Sequence, residues 1–148
     1  ANVGEDVKPI QKIASGGELS RIMLSLKNVL SANDPVPTMI FDEIDSGVSG
    51  IAAQRVGEKL CNVSKNKQVM CVTHLPQIAA FADSHYLIMK EERSGRTFTN
   101  VGELDKEGRI NELSRLYSGD NITITTLASA SEQLDAANEY KTNRQENN

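Results

Sequence analysis

A chain of 148 residues, 39% of them hydrophobic, has the material for one ordinary core and is expected to be globular. Its 20 acidic residues outnumber 16 basic ones, and the net charge of -4 excludes a surface that binds DNA broadly by releasing counterions, so any DNA contact is local or lies outside this segment. Cys61 and Cys71 belong to no CxxC or Cys/His cluster and read as buried free thiols; no apolar run is long enough to span a bilayer and no signal peptide is present, so a soluble, cytoplasmic protein without a membrane partner is expected.

Residues 1–13 are polar and broken by Gly4 and Pro9, a lead-in loop or short edge strand anchored by Ile10 and Ile13. Leu19, Ile22, Met23, Leu26, Val29 and Leu30 then recur at helical spacing, which predicts an apolar stripe against the core with Arg21, Ser25 and Asn28 facing elsewhere. Asn33-Asp34-Pro35 stops that helix. Thr38 to Phe41 has the shape of a buried strand with Asp42-Glu43 at its C-terminal end, and a helix from about Gly50 to Val63 follows. A Val-rich strand from Gln68 to Thr73 closes on His74-Leu75-Pro76, and Pro76 suits the first position of a short helix reaching about Ala82. His85 to Lys90 makes a third strand. This alternation predicts an α/β fold with a mostly parallel sheet flanked by helices. After the turn Arg93-Ser94-Gly95, the alternating stretch Arg96 to Val101 returns as an antiparallel edge strand. Helices over about Arg109–Tyr117 and Thr125–Tyr140 complete a domain spanning residues 1–140, and residues 141–148 form a flexible polar tail.

Three places present chemistry. Ser15-Gly16-Gly17-Glu18 opens the first helix, where adjacent glycines let the backbone approach a ligand and the free N–H groups attract an anion. The same residues also spell a capping box, and the two readings can coexist. Asp42-Glu43 lies at the carboxyl end of a strand, where ligands gather in open α/β sheets; one carboxylate there can order Mg2+ through its water shell while the next activates a water, although a solvated acidic loop has the same composition. His74 ends the neighbouring strand, where its imidazole could meet a phosphate oxygen or the attacking water, or serve structure alone. His85 reads as structural.

The order of these elements carries a resemblance. Ala14-Ser15-Gly16-Gly17-Glu18 resembles the signature motif of ABC-type ATPases, Thr38-Met39-Ile40-Phe41-Asp42-Glu43 their Walker B strand, and Val72-Thr73-His74 their switch histidine. Within that superfamily, Glu43-Ile44-Asp45-Ser46-Gly47-Val48-Ser49-Gly50 departs from the transporter pattern and is similar to the RecN family of SMC-like DNA repair proteins. So are Lys12 to Arg21, Thr73-His74-Leu75-Pro76-Gln77-Ile78-Ala79-Ala80-Phe81 and Glu112-Leu113-Ser114-Arg115-Leu116. Ser49 stands where many members of the wider superfamily have an aspartate, so that role is not transferred. The chain has no Gly-Lys dipeptide and hence no P-loop, and no long heptads.

The resemblance therefore implies the C-terminal lobe of an ABC/SMC-type ATPase head, with the N-terminal Walker A lobe and coiled coil absent. It implies ATP and Mg2+ as cofactors, with Asp42 on the Mg2+ shell through water, Glu43 as base and His74 reading the γ-phosphate. Ser15, Gly16, Gly17 and Glu18 would serve the ATP of an opposing head. The implied partners are the N-terminal lobe, a second head and DNA, and the implied work is double-strand-break repair and recombination. A non-catalytic DNA-tethering module and, less well supported, a transporter subunit are the alternatives.

Overall fold

The structure is a computed structural model that describes residues 9–10, 13–30 and 34–145, with side chains through Asn143. Most of the lead-in loop and the helix stop at Asn33 lie outside these residues. The chain divides into two compact units, Ala1–Thr73 and His74–Asn148.

The first unit contains α1 (Gly16–Leu30), β1 (Thr38–Phe41), α2 (Gly50–Ser64) and β2 (Gln68–Cys71). The two strands pair in parallel from Thr38↔Gln68 to Phe41↔Cys71, with α2 as the connection. Alternation along β1 buries Met39 and Phe41, and α2 turns Ala53, Val56, Leu60 and Val63 inward beside them. Lys67 is buried and donates from Nζ to Asp34 O and Val36 O, both at 2.6 Å, which fixes the approach to β1. The opposite face of the strand pair, with Ile40, Met70 and Val72, is exposed.

Helix α1 corrects the sequence expectation. Ile22, Met23, Leu26, Val29 and Leu30 are exposed, whereas the side that packs inward carries Gly17, Ser20, Arg21, Leu24 and Asn28. These positions follow the same helical period as the apolar stripe, displaced around the axis. Their hydrogen bonds, including Asn28 Nδ2 to Lys59 O at 3.0 Å, hold the helix to the loop after β1 and to α2.

The second unit contains α3 (Pro76–Ala79), β3 (Tyr86–Arg93), β4 (Arg96–Glu103), α4 (Lys106–Ser118) and α5 (Ile124–Gln145). The expected α/β class is present, with parallel and antiparallel pairing shared between two separate two-stranded sheets. The third strand pairs with the fourth, Tyr86↔Glu103 to Arg93↔Arg96, because Ser94 and Gly95 adopt φ of 52° and 70°. Two consecutive positive φ values make the primed turn whose twist matches a tight hairpin. Asp105 caps α4 by accepting from Gly108 N at 2.7 Å, and Thr123 and Thr126 cap the start of α5 reciprocally. Leu113, Ala130, Leu134 and Ala137 form the core of this unit, and Phe81 meets Tyr140 edge to face at 5.6 Å. Helix α5 continues past Tyr140 to Gln145, so the stretch expected as a polar tail begins as helix, anchored by Lys141 Nζ donating to Asp83 Oδ1 at 2.8 Å and Ala82 O at 3.1 Å.

Candidate active site

The chain leaves the sheet after Phe41, whose carbonyl accepts from Val72 N at 3.0 Å. Asp42 and Glu43 remain exposed, while Ile44 and Asp45 turn inward and are buried. This reversal within two residues is carried by Glu43 at φ 56°, a left-handed conformation that costs a non-glycine residue on the order of 1–3 kcal/mol unless its surroundings hold it. Asp42 Oδ1 accepts from Glu43 N at 2.8 Å, and Ser46 N donates to Glu43 O at 3.0 Å to close the turn. The complete burial of the Ile44 side chain anchors it below.

Helix α1 grips the same loop from its other side. Ser20 Oγ donates to Asp42 O at 3.1 Å, and Arg21 Nη1 donates to Ile44 O at 3.1 Å and Ser46 O at 2.6 Å. The glycines make this approach possible: a Cβ on Gly17 would lie 2.8 Å from both Glu43 O and Ser46 Cβ, and one on Gly16 would lie 2.5 Å from Glu43 Oε2. Ahead of them the capping box is formed. Glu18 Oε2 accepts from Ser15 N at 2.8 Å and Ser15 Oγ at 3.0 Å, and Glu18 N donates back to Ser15 Oγ at 3.3 Å. The Ser15 backbone N–H, then its hydroxyl, hold the Glu18 carboxyl below its ordinary range.

The structure thus brings Ser15, Gly16, Gly17, Glu18, Asp42 and Glu43 into one region of the first unit. His74 is exposed and begins the second unit; the residue before it, Thr73, donates from Oγ1 to Asp45 Oδ2 at 2.7 Å. Cys71, at the end of β2, is pushed up to about 12 by burial and then by the charges of Asp45 and Asp42, so its thiol stays protonated near neutrality. Sequence reasoning missed Ser20, Arg21, Asp45 and Thr73. For Ser20 and Arg21 the one signal was their helical spacing with Gly17, Leu24 and Asn28, which period alone does not rank above the apolar stripe; Asp45 and Thr73 had none.

The donor set at the strand end is all oxygen, which suits Mg2+. Among the described residues no group of three or more His, Cys, Asp or Glu is arranged to hold a metal by itself. A site of that kind fits an ion that keeps several waters and arrives with phosphate. Among the same residues no helix is long and apolar enough to cross a membrane.

No family model matches the chain. It is 48% identical over 141 residues to the DNA repair protein RecN of Bacillus subtilis, covering 95% of this chain and 24% of that protein. It is 50% identical over 136 residues to the DNA repair protein RecN of Treponema pallidum, covering 92% of this chain and 24% of the relative. In fold it is similar to a solved chain from structural work on ATP-driven dimerization and DNA-stimulated activation of SMC ATPases, with a TM-score of 0.52 and 24% identity, over 80% of this chain and 70% of that one. The chain spans about a quarter of the length of the curated relatives it matches. Along nearly all of its own length the chain is similar to RecN proteins, and its fold is similar to that of a chain from work on SMC ATPases.

Proposed function

We propose that this chain is the C-terminal lobe of an SMC-like ATPase head that binds and hydrolyses ATP to drive head engagement in DNA double-strand-break repair and recombination. The observation that carries the reading is the loop after β1, which exposes Asp42 and Glu43 side by side while the glycine turn of α1 lies against it. The RecN relatives are DNA repair proteins, and the SMC neighbour is described by its ATP-driven dimerization. With a net charge of -4, any DNA contact is local on this chain or lies outside it.

Asp42 would hold Mg2+ through its water shell when ATP is bound. Glu43 takes the proton of the attacking water, and His74, next in the chain after the anchored Thr73, reads the γ-phosphate. When bound, Mg2+ supplies neutralisation of developing phosphate charge. Ser15, Gly16 and Gly17 offer backbone N–H groups at a helix start to the ATP of a second head, and Glu18 braces that turn. The P-loop comes from an N-terminal Walker A lobe of the same protein, so this chain alone binds ATP weakly and hydrolyses it negligibly.

Steady-state ATPase measured after adding the Walker A lobe tests the assignment. Glu43→Gln is expected to lower kcat about 100-fold or more, the scale of a lost general base. Equal rates for Glu43→Gln and the unsubstituted protein would remove Glu43 as catalyst, and no hydrolysis by either would leave the non-catalytic interaction or tethering module as the better reading.

A further inference from the structure

We infer that Arg21 is a positioning residue for Glu43, coupling the glycine-rich start of α1 to the direction of the Glu43 carboxylate; this deepens the ATPase reading above and rests on it. The Arg21 guanidinium, a rigid planar donor, bridges two carbonyls of one turn, Ile44 O at 3.1 Å and Ser46 O at 2.6 Å. Those carbonyls flank a reversal that depends on Glu43 at φ 56°, a backbone state that persists only when neighbouring contacts over-determine it. Ser20 Oγ on Asp42 O adds a third tie from the adjacent residue of the same helix.

The geometry makes α1 a lever. Its first turn carries Ser15, Gly16 and Gly17, and the inward face of its second turn holds the loop that aims Glu43. A phosphate docking at the first turn shifts or stiffens the helix, and the Arg21 bridge passes that change to the base. Arg21 need not touch nucleotide to act in this way. Its effect therefore belongs in kcat rather than in the KM for ATP.

The test uses the chain joined to its Walker A lobe, with Arg21→Ala, Arg21→Lys, Glu43→Gln and the Arg21→Ala/Glu43→Gln double variant. Arg21→Ala is expected to lower kcat about tenfold or more with KM changed less than about twofold, because a small misplacement of a reacting group costs this much. Both bonds leave from Nη1, so Arg21→Lys keeps the charge but must reach the two carbonyls with one ammonium on a more flexible stem, and it is expected to fall between Arg21→Ala and the parent, with an unchanged melting temperature. In the Glu43→Gln background, Arg21→Ala is expected to change the residual rate by less than about twofold, the non-additivity of residues that act through one another.

A parent-like kcat in Arg21→Ala or Arg21→Lys, the same loss in both backgrounds, or a raised KM at constant kcat would each overturn the inference. If Arg21→Ala fails to fold, Arg21→Lys decides alone through kcat at constant stability. Parent-like activity in Glu43→Gln defeats the role of Glu43 as base and this inference together, whereas a parent that hydrolyses no ATP with its Walker A lobe defeats the ATPase reading itself. Parent-like activity in Arg21→Lys beside a dead Glu43→Gln defeats only the role of Arg21.

Discussion

Gly16 and Gly17 meet different parts of Glu43, and substitutions at the two should separate accordingly. A methyl on Gly16 would collide with Glu43 Oε2, the far end of a movable side chain, whereas one on Gly17 would collide with Glu43 O and with Ser46. Replacing helical glycine by alanine ordinarily stabilises by about 0.5–1 kcal/mol. At Gly17 the overpacking term, about 1–3 kcal/mol, exceeds that gain, so Gly17→Ala is expected to lower the denaturant midpoint. Gly16→Ala is expected to leave the midpoint nearly unchanged and to lower ATPase activity in the protein joined to its Walker A lobe, since the carboxylate must move. Denaturation and kinetics of the two variants side by side check the distinction. The exposed place of Asp42-Glu43 at the end of an apolar strand was legible in the sequence, because charge that follows a buried strand stays in solvent. Arg21 was not legible, because an arginine on a helix reads by default as solvated, and only the turn of Ile44 to Ser46 supplies the carbonyls it serves.

At the scale of elements, period identified the helices and strands, but it did not say which helix face turns inward. In α1 the more apolar stripe lost to a face whose small and polar residues fit the loop after β1. Turn chemistry was more informative: Ser94-Gly95 was readable as a turn, and its left-handed backbone is what commits β3 to β4. The start of β3 also carries a pH response. His85, half-buried, is held below its ordinary value by burial and then by the positive charge of Arg109, with Glu112 opposing, and its Nδ1 has no hydrogen-bond partner among the described residues. A depressed histidine pKa favours the neutral ring in the folded state. Its contribution is therefore present above the ordinary value near 6.5 and lost as pH falls through the lowered folded value. The denaturant midpoint is expected to drop between about pH 7.5 and about pH 5.5, by less in His85→Gln than in the parent. An equal drop in both would assign the response to the carboxylates.

For the molecule as a whole, the α/β class, the parallel crossover pair and the hairpin were legible because helices and strands alternate and a turn follows β3, but the division into two separate two-stranded sheets was not. Strands as short as Thr38–Phe41 and Gln68–Cys71 hold little information about their neighbours. The same first unit leaves two apolar surfaces bare: Ile22, Met23, Leu26, Val29 and Leu30 on α1, and Ile40, Met70 and Val72 on the strand pair. Parallel strands are ordinarily covered on both faces, and contiguous apolar surface of this kind drives association. The chain by itself is expected to self-associate in sedimentation velocity, and Ile22→Glu with Leu26→Glu to shift it toward monomer with helix content retained. A monomeric parent at high concentration would refute this. The hairpin turn has a consequence for biosynthesis. β3 and β4 are separated only by Ser94 and Gly95 and can zip in about 1–10 μs, whereas β1 must wait for α2 to be made and wound before β2 reaches it. With a ribosome adding about 5–20 residues per second, the parallel pair is complete for seconds before the hairpin emerges. Its uncovered face is then open to chaperones while the remainder of the polypeptide is still being translated.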